Sequence, residues 1–121
     1  RKYFIQSHLF EPGKIHGKIM IIYIDIDETI CHHPYETEDI ARDYYKAEPL
    51  HKNIKKGNDL YDEGHTIVYW TARGTTTGLD WEELTRKQFS SWGVKYHDLK
   101  FGKPYYDLFI DDKNMNVKDW K

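Results

Sequence analysis

Two aspartates, Asp25 and Asp27, follow an apolar run and open the stretch Asp25-x-Asp27-x-Thr29. On an unbroken strand residues two apart share a face, and just beyond a strand end they can meet in one pocket. Two close carboxylates repel, so both stay ionised only beside a cation or hydrogen-bond donors. A second acidic pair, Asp111 and Asp112, closes another apolar run. Three or four carboxylates at one edge suit a hard cation with oxygen ligands. Mg²⁺ is the natural choice, since it takes few protein ligands and keeps waters for substrate oxygens. Lys103, between Gly102 and Pro104, can offset those carboxylates and hold a phosphate as a point charge. Thr71 offers a hydroxyl, and the loop that follows from Ala72 offers backbone N–H groups. Together they make a plausible anion cradle.

These residues need elements to position them. Ile19 to Ile26 is a near-continuous apolar, β-branched run, as in a strand buried on both faces of a parallel sheet. Residues 31–49 carry Pro34 and Pro49 and read as loop with one helical turn at most. Leu50 to Glu63 sets Leu50, Ile54 and Tyr61 on one helical face, with Leu60 beside Tyr61 and Gly64 as the stop. Thr66 to Trp70 is a second strand. Asp80, with Glu83 three residues on, reads as an N-cap and capping box. Trp81, Leu84, Gln88, Phe89 and Trp92 give the next helix a mostly apolar stripe ending at Gly93. Val94 to His97 reads as a weak third strand and Asp107 to Asp111 as a short fourth.

Alternating strands and helices predict βαβ units, a mainly parallel central sheet and helices on both faces. In such sheets ligands bind beyond the carboxyl ends of the strands, which is where Asp25, Asp27, Thr71, Asp111 and Asp112 fall. The chain has 121 residues, about one domain. Residues 1–18, with a turn at Pro12-Gly13, read as an N-terminal arm or linker, and 19–121 as the folded domain that carries these residues. Eighteen basic and 20 acidic residues leave a net charge of −2, so nothing suggests a general nucleic-acid binder. One cysteine, Cys31, excludes an internal disulfide framework. No apolar run approaches the ~20 residues of a bilayer span, and no signal peptide is visible. The expectation is a cytoplasmic protein with no membrane partner.

The motif order resembles the haloacid dehalogenase superfamily of aspartate-nucleophile phosphohydrolases. It runs from an apolar strand into Asp25-x-Asp27-x-Thr29, a second into Thr71, then Lys103, and a last strand into Asp111-Asp112. The stretches Tyr69-Trp70-Thr71-Ala72-Arg73-Gly74 and Gly102-Lys103-Pro104-Tyr105-Tyr106-Asp107-Leu108-Phe109-Ile110-Asp111-Asp112-Lys113 are similar to small phosphatases of capsule and surface-polysaccharide biosynthesis. The resemblance implies a three-layer, Rossmann-like fold and an Mg²⁺-dependent phosphatase. It implies Asp25 as nucleophile, Asp27 as general acid and base, and Thr71, Ala72, Arg73 and Lys103 as phosphate- or substrate-binding residues. Asp25, Asp27 through its backbone carbonyl, and Asp111 would hold the metal, with Asp112 either a further ligand or a support behind one. The superfamily's cap domains enter after the first motif or between the second and third, and neither gap has room for one. The site is therefore expected to be open unless the 31–49 loop, the 1–18 arm or a second copy of the chain covers it, and to take a sugar phosphate or related metabolite.

Glu28 stands where that superfamily usually has Gly. Asp-x-Asp-Glu-Thr also resembles phosphatases that act on phosphorylated protein tails, although their last motif has Asp-Asn. A receiver-like phospho-acceptor and a binding module without turnover are the rivals from other classes. Arg73 reads as a substrate ligand or as the partner of a surface carboxylate. Cys31-His32-His33 makes no recognised metal spacing and reads as a loop at the pocket mouth. Tyr35, Tyr44 and Tyr45 read as packing for the irregular segment, or as an aromatic wall.

Overall fold

The computed structural model describes residues 18–39 and 41–121. The expected N-terminal arm lies outside the described residues, apart from Lys18. The elements in chain order are β1 (Ile21–Ile24), β2 (Cys31–His32), β3 (Glu48–Pro49), α1 (His51–Asp62), β4 (Thr66–Trp70), α2 (Glu82–Trp92) and β5 (Asp98–Lys100). Three strands form a parallel sheet in the order β1-β4-β5. Ile21 to Ile24 align with Thr66 to Tyr69, and Val68 to Trp70 with Asp98 to Lys100. A two-stranded antiparallel pair, β2 and β3, closes the loop between β1 and α1.

The pleat sends Ile22, Ile24, Ile67 and Tyr69 to one face of the sheet. Both helices pack there. Gly57 of α1 approaches so closely that a Cβ on it would sit 2.7 Å from the Tyr69 hydroxyl. Phe89 of α2 packs edge-on to the Tyr69 ring at 5.0 Å. Ile54, Leu60, Phe89, Val94 and Leu99 complete the core. On the opposite face Ile21 and Tyr23 are 73% and 50% exposed. The chain is thus a small α/β unit of one sheet and two helices on a shared face. Among the described residues the expected third layer is not formed. With the crossovers β1-α1-β4 and β4-α2-β5 stepping the same way across the sheet, their helices fall on one side, and covering the other side needs strands beyond β1.

The helix ends follow local chemistry. Gly93 takes a left-handed φ of 72°, and its N–H bonds the Phe89 and Ser90 carbonyls to end α2. Asp80 accepts from the Glu82 N–H at 2.9 Å, but the N-cap position itself is Trp81. The expected cap therefore sits one residue too early, and its carboxylate closes a turn before the helix.

Two strand expectations need correction. Residues 94–97 lead into the third sheet strand, and the strand itself is Asp98–Lys100. The lead-in is spent on anchoring: Val94 N–H bonds the Phe89 carbonyl, and His97 N–H the Ile67 carbonyl. Residues 107–111 form no strand. Leu108 and Ile110 are 75% and 85% exposed, so the segment has strand composition without a paired edge. Strand propensity expresses fit to a half-buried pleated surface and yields to context.

Candidate active site

Asp25 follows β1, Thr71 follows β4, and Lys103 lies three residues beyond β5, so all three meet at the carboxyl edge of the sheet. Asp25 accepts the Ile26 N–H on Oδ1 at 2.9 Å. Its Oδ2 lies 3.4 Å from Lys103 Nζ, and its side chain is 39% exposed. Burial of the rest raises the Asp25 carboxyl above its ordinary pKa, against the pull of the Lys103 charge. The Lys103 ammonium sits 5.8 Å from the Trp70 ring centre and 5.5 Å from that of Tyr106. Its backbone is fixed as well. The Lys103 N–H bonds the Thr71 carbonyl at 3.1 Å, and its own carbonyl accepts the Thr75 hydroxyl at 2.8 Å.

Asp27 lies in another environment. Arg73 grips it from Nε (3.1 Å to Oδ2) and Nη2 (2.9 Å to Oδ1). His33 Nε2 lies 2.6 Å from Oδ1, and the His33 and Asp27 side chains are 2% and 9% exposed. Burial alone would raise this carboxyl. Hydrogen bonds from His33 and Arg73, with their charges, outweigh it and hold Asp27 well below the usual carboxylate range. Cys31 Sγ completes the group at 3.4 Å from Asp27 Oδ1. Burial and the Asp27 charge push its thiol up to about 12.

Arg73 is the hub. Nη1 donates to Thr85 Oγ1 at 3.0 Å and Gln88 Oε1 at 2.7 Å, and Nη2 also reaches Cys31 Sγ at 3.8 Å. A guanidinium has five donors, and here all are engaged within the protein. Its carbon lies 4.8 Å from the Tyr44 ring centre. Gln88 in turn donates to the Tyr44 carbonyl at 2.7 Å, and Thr85 to that of Trp81 at 2.7 Å. Gly74 lets the loop turn back over this hub. It has φ of 80°, and a Cβ there would meet the Leu79 carbonyl oxygen.

Several expected roles therefore meet a different placement. Arg73 pairs with a buried carboxylate and has no donor left for substrate. Thr71 is fully buried, and its hydroxyl oxygen accepts the Arg73 N–H at 3.0 Å. Ala72 is half-buried. Asp111 and Asp112 are exposed, and among the described residues neither side chain forms an ion pair or hydrogen bond. Tyr44 is packing, as its contacts with Arg73, His33 and Trp81 show. Glu28, at the position where glycine is usual in the resembling family, takes a left-handed φ of 60°. Its carboxylate pairs with His32 Nδ1 at 2.9 Å and accepts the His33 N–H at 3.1 Å.

The Asp27 side chain is not placed to hold the implied Mg²⁺. Both Asp27 side-chain oxygens are held by Arg73, and its other close neighbours are a sulfur and an imidazole nitrogen, which leaves the Asp27 backbone carbonyl as the oxygen that residue would offer. Mg²⁺ requires a near-octahedral oxygen set. Thr85 escaped the sequence reading, Gln88 was read only as part of the stripe of α2, and His33 only as a residue of a loop at the pocket mouth. The available signal was a pair of polar residues three apart on the buried side of α2, which suits a buried cation.

Among the described residues no helix is long and apolar enough to cross a membrane. No family model and no curated protein matches the chain. Among solved structures, the crystal structure of an MCSG target from Vibrio cholerae is similar, with a TM-score of 0.69 at 20% sequence identity, over 84% of this chain and 86% of that one. At that identity the likeness is one of fold.

Proposed function

We propose that the protein is a phosphoric monoester hydrolase that works through Asp25, in the manner of the small, capless phosphatases its motifs resemble. The observation that carries the reading is the Asp25–Lys103 pair at the carboxyl edge of the sheet. It combines a partly exposed carboxylate of raised basicity with an ammonium poised for phosphoryl oxygens. An Asp25 oxygen attacks phosphorus, the bond to the leaving oxygen breaks, and that oxygen takes its electron pair and then a proton from water. Lys103 offsets the charge on the transferring group, the dominant need of phosphoryl transfer. A second water then attacks phosphorus, the bond to Asp25 breaks, and phosphate leaves. No step is assigned to Mg²⁺. Asp27, ion-paired to Arg73, has no proton to give, so good leaving groups are favoured. The resemblance favours a small phosphorylated sugar or related metabolite as substrate.

The test is hydrolysis of an aryl phosphate and of sugar phosphates by wild type and Asp25→Asn, with and without added Mg²⁺. The expected result is aryl phosphate turnover that Asp25→Asn abolishes. An inactive wild type, or an active Asp25→Asn, sinks the reading. A second reading is a phospho-acceptor domain, favoured by the absence of a free acid or base beside Asp25 among the described residues. A long-lived adduct from acetyl phosphate without turnover would select it.

A further inference from the structure

We propose that Asp27 Oδ1, Cys31 Sγ and His33 Nε2 form a binding site for a zinc-class divalent metal ion. The three atoms lie 2.6 Å (Nε2 to Oδ1), 3.4 Å (Sγ to Oδ1) and 4.0 Å (Sγ to Nε2) apart. A triangle of those sides has a point about 2 Å from every corner, close to zinc–nitrogen and zinc–oxygen bond lengths and a few tenths short for zinc–sulfur. An ion displaced slightly from that point makes three bonds and leaves a fourth, tetrahedral position for water or hydroxide. One nitrogen, one sulfur and one oxygen are a borderline-soft donor set, which selects zinc, cobalt or similar ions and not Mg²⁺.

The backbone presents the ligands together. Glu28 N–H bonds the Cys31 carbonyl at 2.8 Å, and the left-handed Glu28 folds the chain back so that Asp27 bridges to Cys31. All three side chains face inward. His33 has polar contact only through Nε2, and its buried Nδ1 has no partner among the described residues. Arg73 is placed to support a bound ion. Nε stays on Asp27 Oδ2 at 3.1 Å, and Nη2, 3.8 Å from Cys31 Sγ, becomes a donor to the thiolate.

Binding releases the Cys31 proton to solvent and replaces the hydrogen bond between His33 and Asp27 with two metal bonds. The divalent ion and Arg73 then face one thiolate and one carboxylate, and a hydroxide in the fourth position balances the charge. Asp25 and Lys103 take no part, so the inference stands independently of the phosphatase reading.

The experiment refolds the full chain with Co²⁺ as a spectroscopic probe. About one bound equivalent is expected, with a thiolate-to-cobalt charge-transfer band in the near ultraviolet that Zn²⁺ removes and a large excess of Mg²⁺ does not. Cys31→Ser should abolish the band, and His33→Ala should weaken binding at least about 100-fold. His32→Ala, outside the triad, should change neither. Folded wild type without a thiolate band, or a band that survives His33→Ala, overturns the proposal. If the variants fail to fold, the wild-type spectrum alone decides.

Discussion

Asp25 and Asp27 are two residues apart, and each is paired with a cation, yet the two pairs have different physics. Asp25 is 39% exposed and faces a single lysine, itself 12% exposed, at 3.4 Å. Asp27 is 9% exposed and lies in the fork of an arginine with no side-chain exposure. Burial raises the pKa of the first; in the second, hydrogen bonds overcome burial and lower it. The open pair leaves its carboxylate partly in water. The closed pair is a fixture, since breaking a buried pair strands an uncompensated charge while an exposed one is screened by water. The difference teaches that the spacing of two carboxylates does not assign them a shared task; the cation that reaches each one does.

The largest expected effect tests the closed pair. Arg73→Met strands Asp27, Thr85 and Gln88 and should cost about 3–5 kcal/mol of unfolding free energy, read by urea denaturation. A loss below about 1 kcal/mol would break the contrast. On the open pair, Asp25→Asn should lower aryl phosphate hydrolysis on the order of 10³-fold without loss of stability at neutral pH, measured by steady-state rates beside the same denaturation curves. Lys103→Met should cost under about 1 kcal/mol of stability yet impair phosphate binding, seen as weaker inhibition by inorganic phosphate.

Acid sharpens the comparison further. Asp27, lowered in the folded state, contributes stability that is present above the unfolded pKa of about 4 and is lost as pH falls below it. Asp25, raised in the folded state, contributes in the opposite sense: its stabilisation is complete below about pH 4 and is lost as pH rises through the folded value. Unfolding free energies from pH 2 to 7 should therefore lose their acid-side slope in Asp27→Asn and gain stability at the neutral end in Asp25→Asn. The smallest effect lies at Glu28. Glycine there removes the strain of a left-handed φ, about 1 kcal/mol, but forfeits the bonds to His32 and His33. Glu28→Gly should therefore lie within about 1 kcal/mol of wild type by thermal unfolding, and a larger loss would make that loop a stronger support of the closed pair.

The sequence by itself determined the local elements. Apolar β-branched runs specify β1 and β4, Ile54 and Leu60 give α1 its buried side, and Gly93 ends α2. It also placed Asp25 and Thr71 at strand ends, where a parallel sheet gathers them. Tertiary structure decided the rest, because the deciding partners are remote. Arg73 lies 46 residues from Asp27, with Thr85 and Gln88 12 and 15 residues beyond Arg73. Whether a guanidinium turns to solvent or to a buried carboxylate depends on acceptors that only the packing of α2 supplies. The same holds for residues 107–111, whose composition suits a strand but whose state depends on an edge to pair with. Local propensity is written in neighbours along the chain; the pairing of a charge or a strand edge is settled by what the fold brings within a few ångströms of it.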